Sequence, residues 1–358
     1  MSRSALSPPV RDLLDRFEAG QRLALARAIT LVENEAPGFQ EFLHGALSRA
    51  PSARRIGLTG PPGAGKSTLV ASLVAEYRRR DEEVGVVAVD PTSPYSGGAI
   101  LGDRIRMNDI ALDRGVFIRS MATRGSLGGL ATTTKEVVDV MDAFGFPRLL
   151  LETVGVGQTE LEITAAADTV VVILVPESGD GVQAMKAGLM EIADVFVINK
   201  ADRPGADRLL KEVRVALNLR SGHAATDVPA HHGVDYSKVR RRELSGDAAP
   251  ESGSAWKIPV LKTVAQDGEG LPELMEALEG HRVWLDESGE LERRRRARAA
   301  IRVRDVVDRA FRRIAWSDPD VAKVLERSLA DVAGGEETPY SVGDRILQIL
   351  LNPTRRSG

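Results

Sequence analysis

The sequence predicts a three-layer α/β fold around a mostly parallel sheet, with helices before it and more helices after it. Seven short runs rich in β-branched residues recur through the middle of the chain: RIGLTG, VGVVAVD, VFIRSM, PRLLLET, TVVVILVP, DVFVINK and IPVLKTV. They are continuously apolar rather than alternating, as strands buried on both faces are. Amphipathic segments long enough for crossover helices separate most of them, which is the arrangement of βαβ units. Residues 10–49 and the chain beyond Glu290 instead carry helical periodicity without strand runs.

Taken in order, residues 1–50 read as a helical segment, with RDLLDRFEAGQRLALARAITLVE and GFQEFLHGAL parted by Pro37-Gly38. Residues 51–285 hold all seven strand runs and form the α/β domain. Within it, residues 221–254 lack sustained periodicity and read as a surface insertion. Residues 286–358 are a C-terminal helical region, in which Val303, Val306, Val307, Ala310, Phe311 and Ile314 fall on one helical face.

Composition narrows the function classes. The 358 residues carry 43% hydrophobic and 28% charged side chains and a formal net charge of −3, which gives no overall sign of a nucleic-acid partner. With no cysteine, disulfides and thiolate metal sites are excluded. The longest strongly apolar run, Val170 to Val175, is far too short to span a bilayer, and the first residues lack a signal-peptide core. A soluble cytoplasmic protein without membrane contact is expected.

The first strand run empties into Gly60, Pro61, Pro62, Gly63, Ala64, Gly65, Lys66, Ser67 and Thr68, and a helical segment follows. Gly-x4-Gly-Lys-Ser between a strand and a helix is the phosphate-loop pattern. Its glycines turn successive N–H groups inward around phosphate oxygens at a helix N-terminus. Lys66 is expected to reach the β- and γ-phosphates and Ser67 to offer a hydroxyl to Mg²⁺. A nucleoside triphosphate is the expected ligand.

Asn199-Lys200-Ala201-Asp202 follows the sixth run. The Asp202 carboxylate would accept two hydrogen bonds from guanine N1–H and its exocyclic amine, which adenine lacks. Asn199 would support the loop, and the Lys200 stem would pack against the ring. Thr263-Val264-Ala265, at the end of the last run, stands where a backbone N–H would meet guanine O6; Val264 occupies a place where serine is usual. GTP is the nucleotide expected.

Acids complete the pattern. Glu152 ends the hydrophobic run LLLE and opens Glu152-Thr153-Val154-Gly155, so it is a candidate magnesium contact, with the Gly155 N–H placed to sense the γ-phosphate. Gln158 is off the position of a water-orienting glutamine. Asp90 ends the second run, and a Pro- and Gly-broken stretch, PTSPYSGGAILG, leads from it to Asp103. Carboxylates are favoured magnesium ligands, and a segment ordered by γ-phosphate and Mg²⁺ is a nucleotide switch. A strand cap at Asp90 and a helix start at Asp103 are the plain alternatives.

VDPTSPYSGGAILGDRIRM, SLGGLATTT, ETVGVGQTE and PESGDGVQAMKAGLMEIADVFVINKAD together resemble the MeaB/ArgK family of GTPases. The likeness covers roughly residues 10–220 and 256–350. It implies a phosphate-loop GTPase domain with a C-terminal helical dimerisation arm, hence a homodimer. It also implies a chaperone of an adenosylcobalamin-dependent acyl-CoA mutase, notably methylmalonyl-CoA mutase. Such a chaperone gates cofactor delivery from an adenosyltransferase and protects the mutase, which itself handles the adenosylcobalamin. By the same resemblance Asp90, Asp103 and Glu152 surround Mg²⁺, and Ser126 to Leu130 form a second mobile segment. Asp180 to Lys186 match a third switch loop facing the mutase, with Lys186 supplying positive charge to the transition state. Hydrolysis is expected to be slow without a partner.

Three rivals remain. A phosphate-loop kinase needs an acceptor pocket and a lid, where this chain has guanine-reading and switch segments. A nickel-insertion GTPase commonly presents Cys and His ligands; here only His223, His231 and His232 cluster, in the polar insertion. The run Arg293 to Arg296 would suit nucleic acid, but it sits on a helix with an apolar face and reads as a solvated helix instead.

Overall fold

The computed structural model describes residues 6–48, 50–90, 110, 112–122, 132–153, 163–176, 188–220 and 255–351. The chain divides into two compact units, Met1–Arg295 and Arg296–Gly358.

The first unit begins with α1 (Pro8–Glu18), α2 (Arg22–Glu33) and α3 (Phe39–Ala46). Proline fits the first turn of α1, where its missing N–H has no helical partner to lose. Val10, Leu14 and Phe17 then recur at helical spacing and are buried. All seven strand runs are strands: β1 (Arg54–Thr59), β2 (Val84–Asp90), β3 (Val116–Ala122), β4 (Arg148–Glu152), β5 (Thr169–Leu174), β6 (Val195–Asn199) and β7 (Val260–Thr263). The helices between and after them are α4 (Lys66–Arg79), α5 (Thr132–Phe144), α6 (Leu189–Ile192), α7 (Ala206–Arg220) and α8 (Leu271–Glu287).

The sheet order is β3-β2-β4-β1-β5-β6-β7, and every pairing is parallel. Strand β5 shows why its sequence is continuously apolar. Val170, Val172 and Leu174 face one hydrophobic core, while Val171 and Ile173 face the other. Helices α4 and α8 close the second core, and α5 and α7 close the first. The N-terminal helices join the first core too, since Phe17 meets Phe42 of α3 and Phe144 of α5 edge-on at 5.3 and 5.2 Å. Strand β1 lies at the centre; the chain leaves it toward β2 on one side, and leaves its neighbour β5 toward β6 on the other. That switch point opens a crevice at the carboxyl ends of the strands, where ligands bind in such sheets.

The amino ends of the strands are closed by charge. Arg55, 8% exposed, donates to Asp142 from Nη2 at 2.7 Å and to Asp139 from Nη1 at 2.8 Å. Burial opposes its charge, but these aspartates outweigh burial and hold the guanidinium protonated. The arginine run at the start of α9 (Glu290–Ser317) ends here as well. Arg294 grips both oxygens of Asp194 at 3.0 and 2.9 Å, and Arg295 reaches Asp168 at 3.1 Å and the carbonyls of Pro51 and Ala53. Arg293 pairs with Glu290. Arg294 and Arg295 are therefore neither a nucleic-acid patch nor a solvated face: they pin the root of α9 to the residues preceding β5 and β6.

The second unit holds the rest of α9, then α10 (Pro319–Gly334) and α11 (Pro339–Leu351). Asp318 caps α10, its carboxylate accepting from the N–H groups of Asp320 and Val321. Val321, Val342 and Ile346 form its small core. On α9, Val303 is 64% exposed, and Val306, Val307, Phe311 and Ile314 are exposed with it. Among the described residues, no helix is long and apolar enough to cross a membrane.

Candidate nucleotide-binding site

The phosphate loop leaves β1 at Gly60 and enters α4 at Lys66. Gly60 has φ 143°, and a Cβ there would stand 2.1 Å from the carbonyl oxygen of Ile173 in β5, so only glycine fits the bend. Gly65 has φ 85°, and a Cβ on it would stand 2.4 Å from Nδ2 of Asn199. Lys66 is 6% exposed, with Nζ donating to the carbonyls of Gly60 at 2.9 Å and Pro61 at 3.0 Å. The ammonium thus lies across the mouth of its own loop rather than out in solvent. The expected reach to phosphate requires those two carbonyls to be exchanged for charged oxygens, which bind an ammonium more strongly.

One helical position on, Ser67 donates its hydroxyl to Oε1 of Glu152 at 2.6 Å, and both residues are buried. Register explains the meeting: Glu152 ends β4 opposite Leu58 of β1 on one side and Ala88 of β2 on the other. Asp90 is the last residue of β2, two positions past Ala88. Next to Glu152, Thr153 donates its N–H to Leu58 O at 3.1 Å and its hydroxyl to Thr59 Oγ1 at 2.9 Å. The sequence does not single out this hydroxyl pair, because Thr59 precedes the phosphate loop and Thr153 fills a variable place in Glu152-Thr153-Val154-Gly155. Hydroxyl and carboxylate oxygens meeting at a helix N-terminus are a donor set that fits a hard divalent cation.

At the far side of the crevice, Asn199 and Thr263 are partners in the β6–β7 register. Asn199 Oδ1 accepts from the Thr263 hydroxyl at 3.0 Å and from the Ala265 N–H at 3.1 Å, while Nδ2 donates to Ala64 O at 2.8 Å. A single buried amide thus ties the turn at 263–265 to the phosphate loop. Lys200 adopts φ 54°, a left-handed conformation that is costly for a lysine and is held by the turn. Asp202 is exposed, open to a ligand's edge. The turn at 263–265 is more constrained than the sequence indicates. Val264 N–H is given to Glu269 O at 3.1 Å, so the donor expected for guanine O6 is Ala265 N–H, now directed at Asn199.

The structure brings together Gly60 to Thr68, Glu152, Asn199, Lys200 and Thr263 to Ala265. Asp103, Gly155, Gln158, Asp180, Lys186, the segment 126–130 and the insertion with His223, His231 and His232 lie outside the described residues, as does the side chain of Asp90.

The description "methylmalonyl-CoA mutase-associated GTPase MeaB" matches this chain over residues 25–320. A putative GTPase of Pyrococcus horikoshii is 42% identical over 350 residues, covering 96% of this chain and 99% of that one. The mitochondrial methylmalonic aciduria type A homolog of Mus musculus is 30% identical over 346 residues, covering 92% and 76%. Among solved structures, the LAO/AO transport system kinase superposes with a TM-score of 0.61 at 24% identity, over 95% of this chain and 97% of that one, a likeness of fold alone. With a phosphate loop on β1, an Asn-Lys-x-Asp turn on β6 and a family match over most of its length, the chain belongs to the MeaB family and is a GTPase.

Proposed function

We propose that this GTPase is Mg²⁺-dependent and serves as a chaperone of an adenosylcobalamin-dependent acyl-CoA mutase. Methylmalonyl-CoA mutase is the first candidate. The nucleotide half of this reading is carried by one observation: Ser67 and Glu152, both buried, meet 2.6 Å apart at the N-terminus of α4, one residue after Lys66. On this reading the loop Gly60 to Thr68 cradles the phosphates and Lys66 leaves its loop carbonyls for their oxygens. Ser67, Glu152, Asp90 and Asp103 hold Mg²⁺, which supplies charge neutralisation on the phosphates. The Gly155 N–H meets the γ-phosphate. Asp180 and Lys186 belong to the partner-facing switch, and Lys186 places positive charge where the transition state develops its negative charge. Asn199 holds the base turn, Asp202 and Lys200 meet guanine, and Ala265 N–H turns from Asn199 to O6.

The chaperone half rests on the family's description and on the methylmalonic aciduria name of the mouse relative. In this role the GTPase gates transfer of adenosylcobalamin from an adenosyltransferase and protects the loaded mutase, the cofactor staying with the partner. A homodimer formed through the C-terminal arm accounts for the exposed Val303, Phe311 and Ile314 face of α9, since a large apolar patch on a lone chain calls for a cover.

Purified protein is assayed for GTP hydrolysis with Mg²⁺, with ATP as control, with and without a cobalamin mutase from the same source. Guanine-selective turnover that rises with the mutase is the expected result. Turnover indifferent to every such mutase would remove the chaperone assignment and leave the GTPase. Sedimentation of the free protein as a monomer would remove the dimer.

A further inference from the structure

Ser72 lies midway along α4, the helix that begins at the phosphate loop, and is half-buried. Its Oγ is 3.1 Å from Thr68 O, the usual contact of a helical serine with the carbonyl four residues back. It is also 2.9 Å from Ala265 O, in the turn after β7, across 193 residues of sequence. The shorter contact leaves the helix altogether and joins the helix that begins at the phosphate loop to the turn facing the base. Ala265 is thereby held at both ends, its carbonyl by Ser72 and its N–H by Asn199 Oδ1 at 3.1 Å. The rest of the turn is fixed by backbone: Val264 N–H to Glu269 O, and Ala201 N–H to Thr263 O, both at 3.1 Å. At Gly270 a Cβ would stand 1.9 Å from Lys262 O, which keeps the returning chain close enough to make these bonds. Val264, where serine is usual, adds no hydroxyl to the turn, so the hydroxyl reaching it from the phosphate helix is that of Ser72.

We propose that Ser72 is a positioning residue for base selectivity. By fixing the Ala265 carbonyl it fixes where Ala265 N–H stands, and so which purine C6 substituent is accepted: an oxygen, not an amine. This rests on the reading of residues 263–265 as the guanine O6 contact. It adds to that reading that the contact is set from α4 and not from the turn alone. The O6 and 2-amino edges are then read by separate parts, Ala265 held by Ser72 for the first and Asp202 for the second. The two edges separate experimentally, because hypoxanthine keeps O6 and N1–H but lacks the 2-amino group.

Binding of GDP, IDP and ADP to the full chain is measured by calorimetry for wild type, Ser72→Ala and Ser72→Thr. Loss of one positioning hydrogen bond is expected to weaken GDP and IDP alike, by about fivefold, while ADP is unchanged. The GDP:IDP ratio stays that of wild type and the GDP:ADP ratio falls. Ser72→Thr, which keeps the hydroxyl, restores the GDP:ADP ratio. Three nucleotides weakened equally would mean only a loosened helix and would overturn the proposal, as would wild-type affinities for all three. Should Ser72→Ala not fold, Ser72→Cys, with its weaker donor, is expected to give a smaller fall in the same ratio, and an unchanged ratio counts against the proposal. A wild-type chain that binds ADP as well as GDP would overturn the guanine reading itself, before any variant is compared.

Discussion

At the amino ends of the strands, buried Arg55 faces Asp139 and Asp142, Arg295 faces Asp168, and Arg294 faces Asp194. At the carboxyl ends, equally buried Lys66 rests on two peptide carbonyls and Glu152 accepts from a serine hydroxyl. Both ends take charge out of water, which is costly unless partners compensate. The amino end compensates with opposite charge from distant elements, in geometry that a ligand would only disturb. The contacts named at the carboxyl end are to peptide carbonyls and a hydroxyl on short tethers, the kind that phosphate oxygens and a divalent cation would displace. On the proposed function, buried charge is a fastener in one place and a receptor in the other, and the contacts named for each differ in kind.

If that distinction is sound, the largest loss of stability comes from the amino end. Arg55→Met leaves Asp139 and Asp142 facing each other without their guanidinium, at a cost of roughly 3–5 kcal/mol. Urea unfolding is expected to show it, while the guanine-over-adenine preference of the folded fraction stays put. At the carboxyl end, Lys66→Ala is expected to lower GTP turnover on the order of 100-fold, about 2.7 kcal/mol in activation energy, with the urea midpoint little changed. A Lys66→Ala protein that unfolded as readily as the Arg55 variant would erase the contrast.

Asp194 gives the contrast a pH signature. Burial pushes its carboxyl up, but hydrogen bonds and charge from His281 and Arg294 outweigh burial and hold it below the usual range. A carboxyl depressed in the folded state stabilises above its unfolded pKa, near 4, and loses that contribution as pH falls through the lower folded value. Asp194→Asn is expected to cost about 2 kcal/mol at pH 7 and to flatten the fall in stability below about pH 4. Unfolding midpoints at pH 7 and pH 3.5 check both. A variant with the wild-type acid slope would show that other carboxylates dominate it.

Much of the fold is legible in the sequence, because a strand buried on both faces must be apolar throughout, as β5 is from Val170 to Leu174. The phosphate loop and the Asn-Lys-x-Asp turn are legible for a related reason: their chemistry is local, and consecutive residues carry it. What the sequence conceals is contact at a distance. Arg294 and Arg295 read as solvated because their partners, Asp194 and Asp168, stand 100 and 127 residues earlier, at unremarkable strand starts. The sequence does not mark Ser72 for the same reason, its partner Ala265 lying 193 residues away. The role of Asn199 was half legible. Its place in the motif marks it, but its grip on Ala64 O depends on a glycine at 65 that leaves room for its amide.

The finest test uses one substitution in two places. Thr169 at the amino end shares a hydrogen bond with Nδ1 of buried His281 at 2.8 Å, and Thr263 at the carboxyl end donates to Oδ1 of Asn199 at 3.0 Å. Both threonines are nearly inaccessible, and valine matches each in shape while removing the hydroxyl. The hydrogen bond lost is worth about 1 kcal/mol at His281, whose Nδ1 stays buried, and less at Asn199, whose Oδ1 keeps the Ala265 N–H. It should surface in different measurements. Thr169→Val lowers the unfolding midpoint and leaves the GDP dissociation constant alone, since His281 and Asp194 lie at the amino ends of the strands, away from the phosphate loop. Thr263→Val lets Asn199 swing, so Ala64 in the phosphate loop and Ala265 in the base turn lose their common strut. GDP binding weakens about fivefold while the unfolding midpoint moves less than in the other variant. Equal midpoints and equal GDP affinities in the two variants would mean that a buried hydroxyl does the same job at either end, and that partner type does not distinguish fastener from receptor.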